Sequence, residues 1–218
     1  MSKWATSRWI LCGLLLLALN VQADLNEQYQ LLDAIQSNPQ TQSESARLGE
    51  EKASLCGYCH GTDGNSKREF IPNLAGQNAK YLINQFEQFA TGKRKNYVMS
   101  QLADKLSLEE RVNLAIHFSH QKAKPFVAKK PNSKLSNASP AQGQAGFQAK
   151  CQMCHGVKAE GWDQLPRLAS QPAAYLVKTL EKFKTDHRDR NQSPMTAIAK
   201  GLSNQEIKDI AVYLSSLE

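Results

Sequence analysis

Cys56-Gly-Tyr-Cys59-His60 and Cys151-Gln-Met-Cys154-His155 are two copies of one five-residue pattern, their first cysteines 95 residues apart. Cys-x-x-Cys-His is the spacing by which a haem is held covalently. Two intervening residues let both sulfurs reach the two vinyl groups of a porphyrin lying across one helical turn, and the next residue, histidine, then sits under the iron. Competing chemistries fit less well. Zinc needs four ligands held tetrahedrally, and each pattern supplies three with no nearby Cys or His to complete the set. A Cys-x-x-Cys redox centre has no use for a histidine that follows it twice, and structural disulfides explain neither histidine. Two covalently bound haem c groups are therefore expected, attached through Cys56, Cys59, Cys151 and Cys154, with His60 and His155 as iron ligands.

The start of the chain reads as an export signal over residues 1–23. Lys3 and Arg8 are followed by the apolar run Trp9 to Leu19 and by Val21-Gln-Ala23, a small-residue cleavage site. The run is too short to span about 30 Å of hydrocarbon, so the expectation is a cleaved, periplasmic protein beginning at Asp24. Cys12 leaves with the signal, and the four remaining cysteines all belong to the two haem patterns.

The formal net charge of +7 falls to +5 without the signal, because Lys3 and Arg8 are lost. Residues 24–125 carry 12 basic and 12 acidic side chains, whereas residues 126–218 carry 13 and 8, so the excess lies in the second half. Haem propionates offset part of it. No basic helix or aromatic-basic motif accompanies the charge, which argues against nucleic acid as a partner. A basic face on one half suits steering toward an acidic redox protein.

Self-similarity extends beyond the haem patterns. Pro72-Asn-Leu74-Ala-Gly-Gln-Asn-Ala-Lys-Tyr81-Leu82 matches Pro166-Arg-Leu168-Ala-Ser-Gln-Pro-Ala-Ala-Tyr175-Leu176 at an offset of 94, and Leu102 to Glu110 matches Ile198 to Glu206 at an offset of 96. The chain is one domain duplicated. The expected organisation is an N-terminal extension over residues 24–45, a first domain over 46–122, a connector rich in Lys, Pro, Ser and Asn over 123–140, and a second domain over 141–218. Domains this small have difficulty building enough core alone, and a buried porphyrin supplies an apolar centre.

The secondary structure is expected to be all-α with long loops. Leu82, Phe86 and Phe89 give Ala79 to Ala90 a helical stripe, and Leu176, Leu180 and Phe183 do the same for Ala173 to Phe183. Capping boxes, Ser107-Leu-Glu-Glu110 and Ser203-Asn-Gln-Glu206, start the last helix of each copy, and these helices run to about Ser119 and Leu217. In the extension, Tyr29, Leu31, Leu32 and Ile35 suggest a short amphipathic helix that Pro39 ends; the segment has no counterpart in the second copy and no role evident from sequence.

What fills the sixth iron position separates a carrier from a catalyst. Met153 lies inside a Cys-x-x-Cys loop, on the wrong side of the ring. Met99 follows His60 by 39 residues and Met195 follows His155 by 40, so they occupy matching places and are the expected second axial ligands. A lone methionine reads first as a core gap-filler; the matched pair does not. His117 falls where the second copy has Tyr213 and reads as a packed aromatic position. His120 suits the negative end of its helix, and His187 lies among Lys184, Arg188 and Arg190 on a solvated face. Pro72 and Pro166, twelve and eleven residues after the haem histidines, offer carbonyls that could hold the second ring nitrogen, or are simply turn residues. Tyr81, Tyr175, Arg94 and Arg188 recur in both copies, as propionate contacts or ordinary surface groups.

With these residues in hand the sequence resembles two-haem class I cytochromes of the cytochrome c4 type. The resemblance runs from Arg47 to Leu217 and rests on Cys56 to Ser66, on Pro72-Asn-Leu-Ala-Gly-Gln77 and on their second copies. It implies two tandem class I cytochrome c domains packed about a pseudo-twofold axis. It also implies a periplasmic electron carrier between a respiratory reductase and a terminal oxidase, with iron ligands His60, Met99, His155 and Met195, and with no small-molecule substrate. Two departures stand out: the leader before Ser45 is long, and the second copy lacks the Asp63-Gly-Asn-Ser66 run. An alternative is a peroxidase-like dihaem enzyme, which needs a displaceable sixth ligand and acid-base groups near it. Another is an electron-input subunit of a larger oxidase complex, held peripherally at the membrane.

Overall fold

The computed structural model describes residues 25–127, 132–185 and 193–218. The export signal, His187, Arg188 and Arg190 lie outside the described residues. Helices account for the regular structure: α1 (25–36), α2 (Pro39–Ala53), α3 (Gly57–His60), α4 (Ala79–Ala90), α5 (Tyr97–Asp104), α6 (Leu108–His120), α7 (Pro140–Lys150), α8 (Gln152–His155), α9 (Ala173–Lys184), α10 (Met195–Lys200) and α11 (Asn204–Ser216). A short 3₁₀ turn, Ser133–Leu135, interrupts the connector. Among the described residues there is no β-strand beyond one isolated bridge between Trp162 and Leu165. The all-α expectation holds, and none of the described helices is long and apolar enough to cross a membrane.

Each copy is built on a crossing of its first and last long helices, α2 on α6 and α7 on α11. The last helices start where the capping boxes place them. Ser107 N–H donates to Glu110 Oε2 at 2.9 Å and Glu110 N–H to Ser107 Oγ at 3.2 Å; the Ser203 and Glu206 pair repeats this at 2.8 and 3.1 Å. Two glycines let the crossing helices touch. A Cβ on Gly49 would lie 2.2 Å from Asn113 O, and one on Gly143 would lie 2.0 Å from Asp209 O. The residues against these glycines are His117 and Tyr213. The ring of His117 stacks edge-on to Phe118 at 5.0 Å, and Tyr213 tilts against Phe147 at 5.9 Å. His117 is thus a packed aromatic position, as its alignment with Tyr213 implies, and His120 ends α6 with its Nε2 3.1 Å from Gln42 Nε2.

Two apolar clusters result. Leu82, Ile83, Phe86, Phe89, Val112, Ile116 and Phe118 lie in the first, and Phe147, Leu176, Leu202, Ile207, Ile210 and Leu214 in the second. Helix α4 keeps its expected bounds and buries the expected stripe.

The extension departs from expectation. Helix α1 does stop ahead of Pro39, at residue 36, but Pro39 then opens α2 at its first turn, where a missing N–H costs nothing, with Asn38 accepting from Gln40 N–H at 2.9 Å as the cap. The Gln- and Ser-rich stretch is therefore helical, and the expected boundary at 45/46 falls inside α2. Helix α1 also has a place: Leu32, 1% exposed, is part of the first core, and Tyr29, Leu31 and Ile35 pack around it. Gln28 donates to Glu87 Oε2 at 3.3 Å, and that carboxylate pairs with Arg111 at 2.6 Å. In the second copy the place of Arg111 is taken by apolar Ile207. The first copy thus carries a buried ion pair that α1 helps to cover, and the second needs no such cover.

Gly49→Ala and Gly143→Ala, which force carbon into backbone contacts, should each destabilise the holoprotein by about 1–3 kcal/mol in urea unfolding. Gly146→Ala should be tolerated, because its added Cβ would meet only the flexible side chain of Ile210 at 3.3 Å.

Candidate haem sites

One helical turn follows each first cysteine, so Cys56, Cys59 and His60 share α3, and Cys151, Cys154 and His155 share α8, each first cysteine serving as the N-cap. The turns stop at Gly61 and Gly156, both with φ +83°, a left-handed conformation that glycine adopts without steric cost. None of the four cysteines is paired in a disulfide. Burial pushes the Cys56 thiol up and the Cys151 thiol to about 11, the reverse of the lowered pKa that activates a Cys-x-x-Cys redox centre. No group of three His, Cys, Asp or Glu side chains among the described residues is arranged to hold a bare metal ion.

Both histidines are buried, His60 at 8% and His155 at 4% exposure. His60 Nδ1 lies 2.9 Å from the carbonyl oxygen of Pro72, and His155 Nδ1 lies 3.1 Å from that of Pro166. A carbonyl can only accept, so Nδ1 carries the proton and Nε2 keeps a lone pair that could ligate a metal. Burial, opposed only in part by these bonds, holds both imidazoles below their ordinary pKa, in the neutral form that ligates metal. Of the two sequence readings of these prolines, the carbonyl partner is the one the geometry shows. Unpaired cysteines, one tautomer and a buried neutral imidazole on one turn fit covalent haem at both places.

The candidate methionines sit at matching starts of short helices. Met99 is the third residue of α5 and packs against the first core; Met195 is the first residue of α10. Each is anchored by a polar side chain that sequence inspection overlooks. Asn96 Oδ1 accepts from Met99 N–H at 3.0 Å, and Ser193 Oγ accepts from Met195 N–H at 3.3 Å. Asn96 is the N-cap of α5, a signal that sequence could have used to locate Met99, whereas the N-cap of α10 is Pro194, which makes no side-chain cap bond. Met153, 94% exposed, lies in its Cys-x-x-Cys turn with its side chain in solvent.

The loops after the haem turns repeat in shape although not in sequence. Leu74 and Ala75 N–H both donate to Gly64 O, at 2.8 and 3.1 Å; Leu168 and Ala169 N–H both donate to Ala159 O, at the same distances. Gly64 has φ +73° and Ala159 φ +56°, so the second copy keeps the turn with an alanine in a conformation glycine prefers. The Asp63-Gly-Asn-Ser66 run, which the second copy lacks, has another task. Asp63 pairs with Lys124 at 2.6 Å, and Asn65 bonds Lys122 O at 3.0 Å and Lys124 N–H at 2.9 Å, which ties down the connector.

Between the copies, Arg94 stacks on Phe89 with its guanidinium 4.5 Å from the ring centroid, donates to Gln85, and reaches Tyr175 OH of the second copy at 3.4 Å. Lys80 bridges Asp33 of α1 and Asp163 of the second copy, both at 3.4 Å. Asn78 Nδ2 donates to Leu165 O at 2.7 Å.

Ala159→Gly should therefore stabilise the protein, by up to about 1 kcal/mol in urea unfolding. Gly64→Ala should destabilise it, since its Cβ would also lie 2.8 Å from Ala75 N and 3.0 Å from the Phe118 ring.

A cytochrome c family model matches residues 140–218, the second copy. The cytochrome c4 of Pseudomonas aeruginosa is 35% identical over 187 residues, covering 79% of this chain and 88% of that protein. The crystal structure of reduced recombinant cytochrome c4 from Pseudomonas stutzeri superposes with a TM-score of 0.67 at 31% identity, covering 79% of this chain and 98% of that one. A thiosulfate dehydrogenase electron acceptor of Stutzerimonas stutzeri is 27% identical over 223 residues, covering 96% of this chain and 94% of that protein. Two copies of the haem-binding turn, the helical architecture and these likenesses together make the chain a member of the cytochrome c4 family, dihaem electron-transfer proteins with covalently bound haem c.

Proposed function

We propose that this protein is an exported, periplasmic carrier that moves single electrons through two haems ligated by His60 with Met99 and by His155 with Met195, and passes them to a respiratory terminal oxidase. The observation that carries the reading is the duplication of the whole ligand set. Each buried histidine has its Nδ1 proton on a proline carbonyl, and each copy has one methionine whose backbone is pinned at a helix start. Bound haem supplies a one-electron iron couple, and sulfur ligation raises its potential. The chain's own residues fix the histidine tautomer, bury the imidazoles and pin the backbone of each methionine; with Met99 and Met195 as second ligands both irons would be closed to substrate and suited to electron transfer.

The first domain is proposed to include α1 and α2, since Leu32 and α2 build its core, and the second to comprise residues 140–218. Export follows from the signal at residues 1–23; the N-terminus of the mature protein, read by mass spectrometry, should be Asp24. The likeness to a thiosulfate dehydrogenase electron acceptor favours a sulfur-compound dehydrogenase as one source of electrons. Reduction by such an enzyme, faster than by an unrelated dehydrogenase, would mark that source.

Ferric haem bound to methionine has a far-red absorption band. Met99→Ala and Met195→Ala should each remove one of two contributions to it, and the double variant should remove all. A high-spin haem in the purified wild-type protein that turns over peroxide at enzymatic rates would instead establish the peroxidase-like alternative.

A further inference from the structure

The two peptide groups that hold the haem histidines are also among the groups by which the two copies grip each other. In the Pro72-Asn73 peptide the carbonyl accepts from His60 Nδ1–H at 2.9 Å, while the N–H of the same peptide donates to Gln171 Oε1, in the second copy, at 3.0 Å. In the Pro166-Arg167 peptide the carbonyl accepts from His155 Nδ1–H at 3.1 Å, while its N–H donates to Gln77 Oε1, in the first copy, at 2.8 Å. Each glutamine closes a second bond on the same residue: Gln171 Nε2 donates to Asn73 O and Gln77 Nε2 to Arg167 O, both at 2.9 Å. Asn73 and Arg167, like Gln77 and Gln171, are related by the repeat offset of 94. The contact is therefore reciprocal, as at a twofold interface. Both glutamines are 4% exposed, so water does not compete for these bonds.

We propose that each glutamine is a positioning residue that tunes the haem of the opposite domain. A peptide group is conjugated, and accepting a hydrogen bond from its N–H shifts electron density onto its carbonyl oxygen. Linked bonds strengthen one another in a dry interior. The better acceptor draws harder on the histidine Nδ1 proton, makes the ring a stronger donor to iron through Nε2, and favours the ferric over the ferrous state. Gln171 thus lowers the potential of the haem at His60, and Gln77 lowers that of the haem at His155. Docking of the two domains sets both potentials. The proposal rests on the reading of His60 and His155 as iron ligands.

The test is a redox titration of the holoprotein in which the Nδ1–H resonances of His60 and His155 are followed by NMR, so that each midpoint is assigned to its haem. Gln171→Met, similar in shape but unable to make either bond, should raise the midpoint of the His60 haem, shift the His60 ring proton upfield and leave the His155 haem near its starting value. Gln77→Met should do the converse, and each variant stands alone if the other fails to fold. Asn78→Ala removes a bond between the copies outside both peptides and should shift neither midpoint. Four results would overturn the proposal: equal shifts of both haems, shifts confined to the substituted domain, the same shifts from Asn78→Ala, or no shift. If the ring protons are not displaced by oxidation of the iron, the ligand assignment itself falls, and the relay with it.

Discussion

A buried imidazole whose Nδ1 proton is held by a backbone carbonyl is committed to one tautomer, and the two candidate haem sites of this chain are arranged around two such rings. The bond requires that the loop after each haem turn bring a proline carbonyl back over the histidine. That in turn requires the tight turns at Gly64 and Ala159, whose carbonyls each receive two backbone N–H groups. The loops must also be anchored on the last helices: Gly76 N–H donates to Phe118 O at 2.9 Å, and Ser170 N–H to Leu214 O at 3.0 Å. Those helices are positioned by close crossings at Gly49 and Gly143. The chain of dependence runs from helix crossing to loop anchor to ligand orientation, twice.

Duplication has a physical consequence beyond doubling the cofactor. Because equivalent loops meet at the interface, the side chains that join the copies bond the same peptides that hold His60 and His155. The two separate cores are thereby joined by buried hydrogen bonds between their loops. The copies have also diverged where their surroundings differ. The first carries a buried Glu87 and Arg111 ion pair, with α1 laid over it, and uses Asp63 and Asn65 to restrain the connector. The second puts Ile207 at the place of Arg111 and accepts a left-handed alanine at residue 159.

Local patterns in the sequence were sufficient for everything set by short-range chemistry. The Cys-x-x-Cys-His turns, the helical stripe of Ala79 to Ala90 and both capping boxes are features of contiguous residues, and the repeat offset showed which belonged together. Pro39 marked the end of α1 correctly but concealed the start of α2, because a proline that closes one helix can open the next when a cap such as Asn38 precedes it. The role of α1 was illegible because it depends on a carboxylate about sixty residues away. Gly49 and Gly143 drew no notice, since nothing in their own helices shows that another backbone crosses there.

The sequence by itself determined the cofactor, its number, its attachment points and the all-α duplicated architecture, because covalent chemistry and helix periodicity are written in adjacent residues. Tertiary structure alone decided between the two readings of Pro72 and Pro166, placing each carbonyl on a histidine Nδ1, and showed that Gln77 and Gln171 grip the opposite copy. The histidine bonds close loops of only 12 and 11 residues, but the glutamine contacts join residues 90 and 98 apart, which no local pattern encodes.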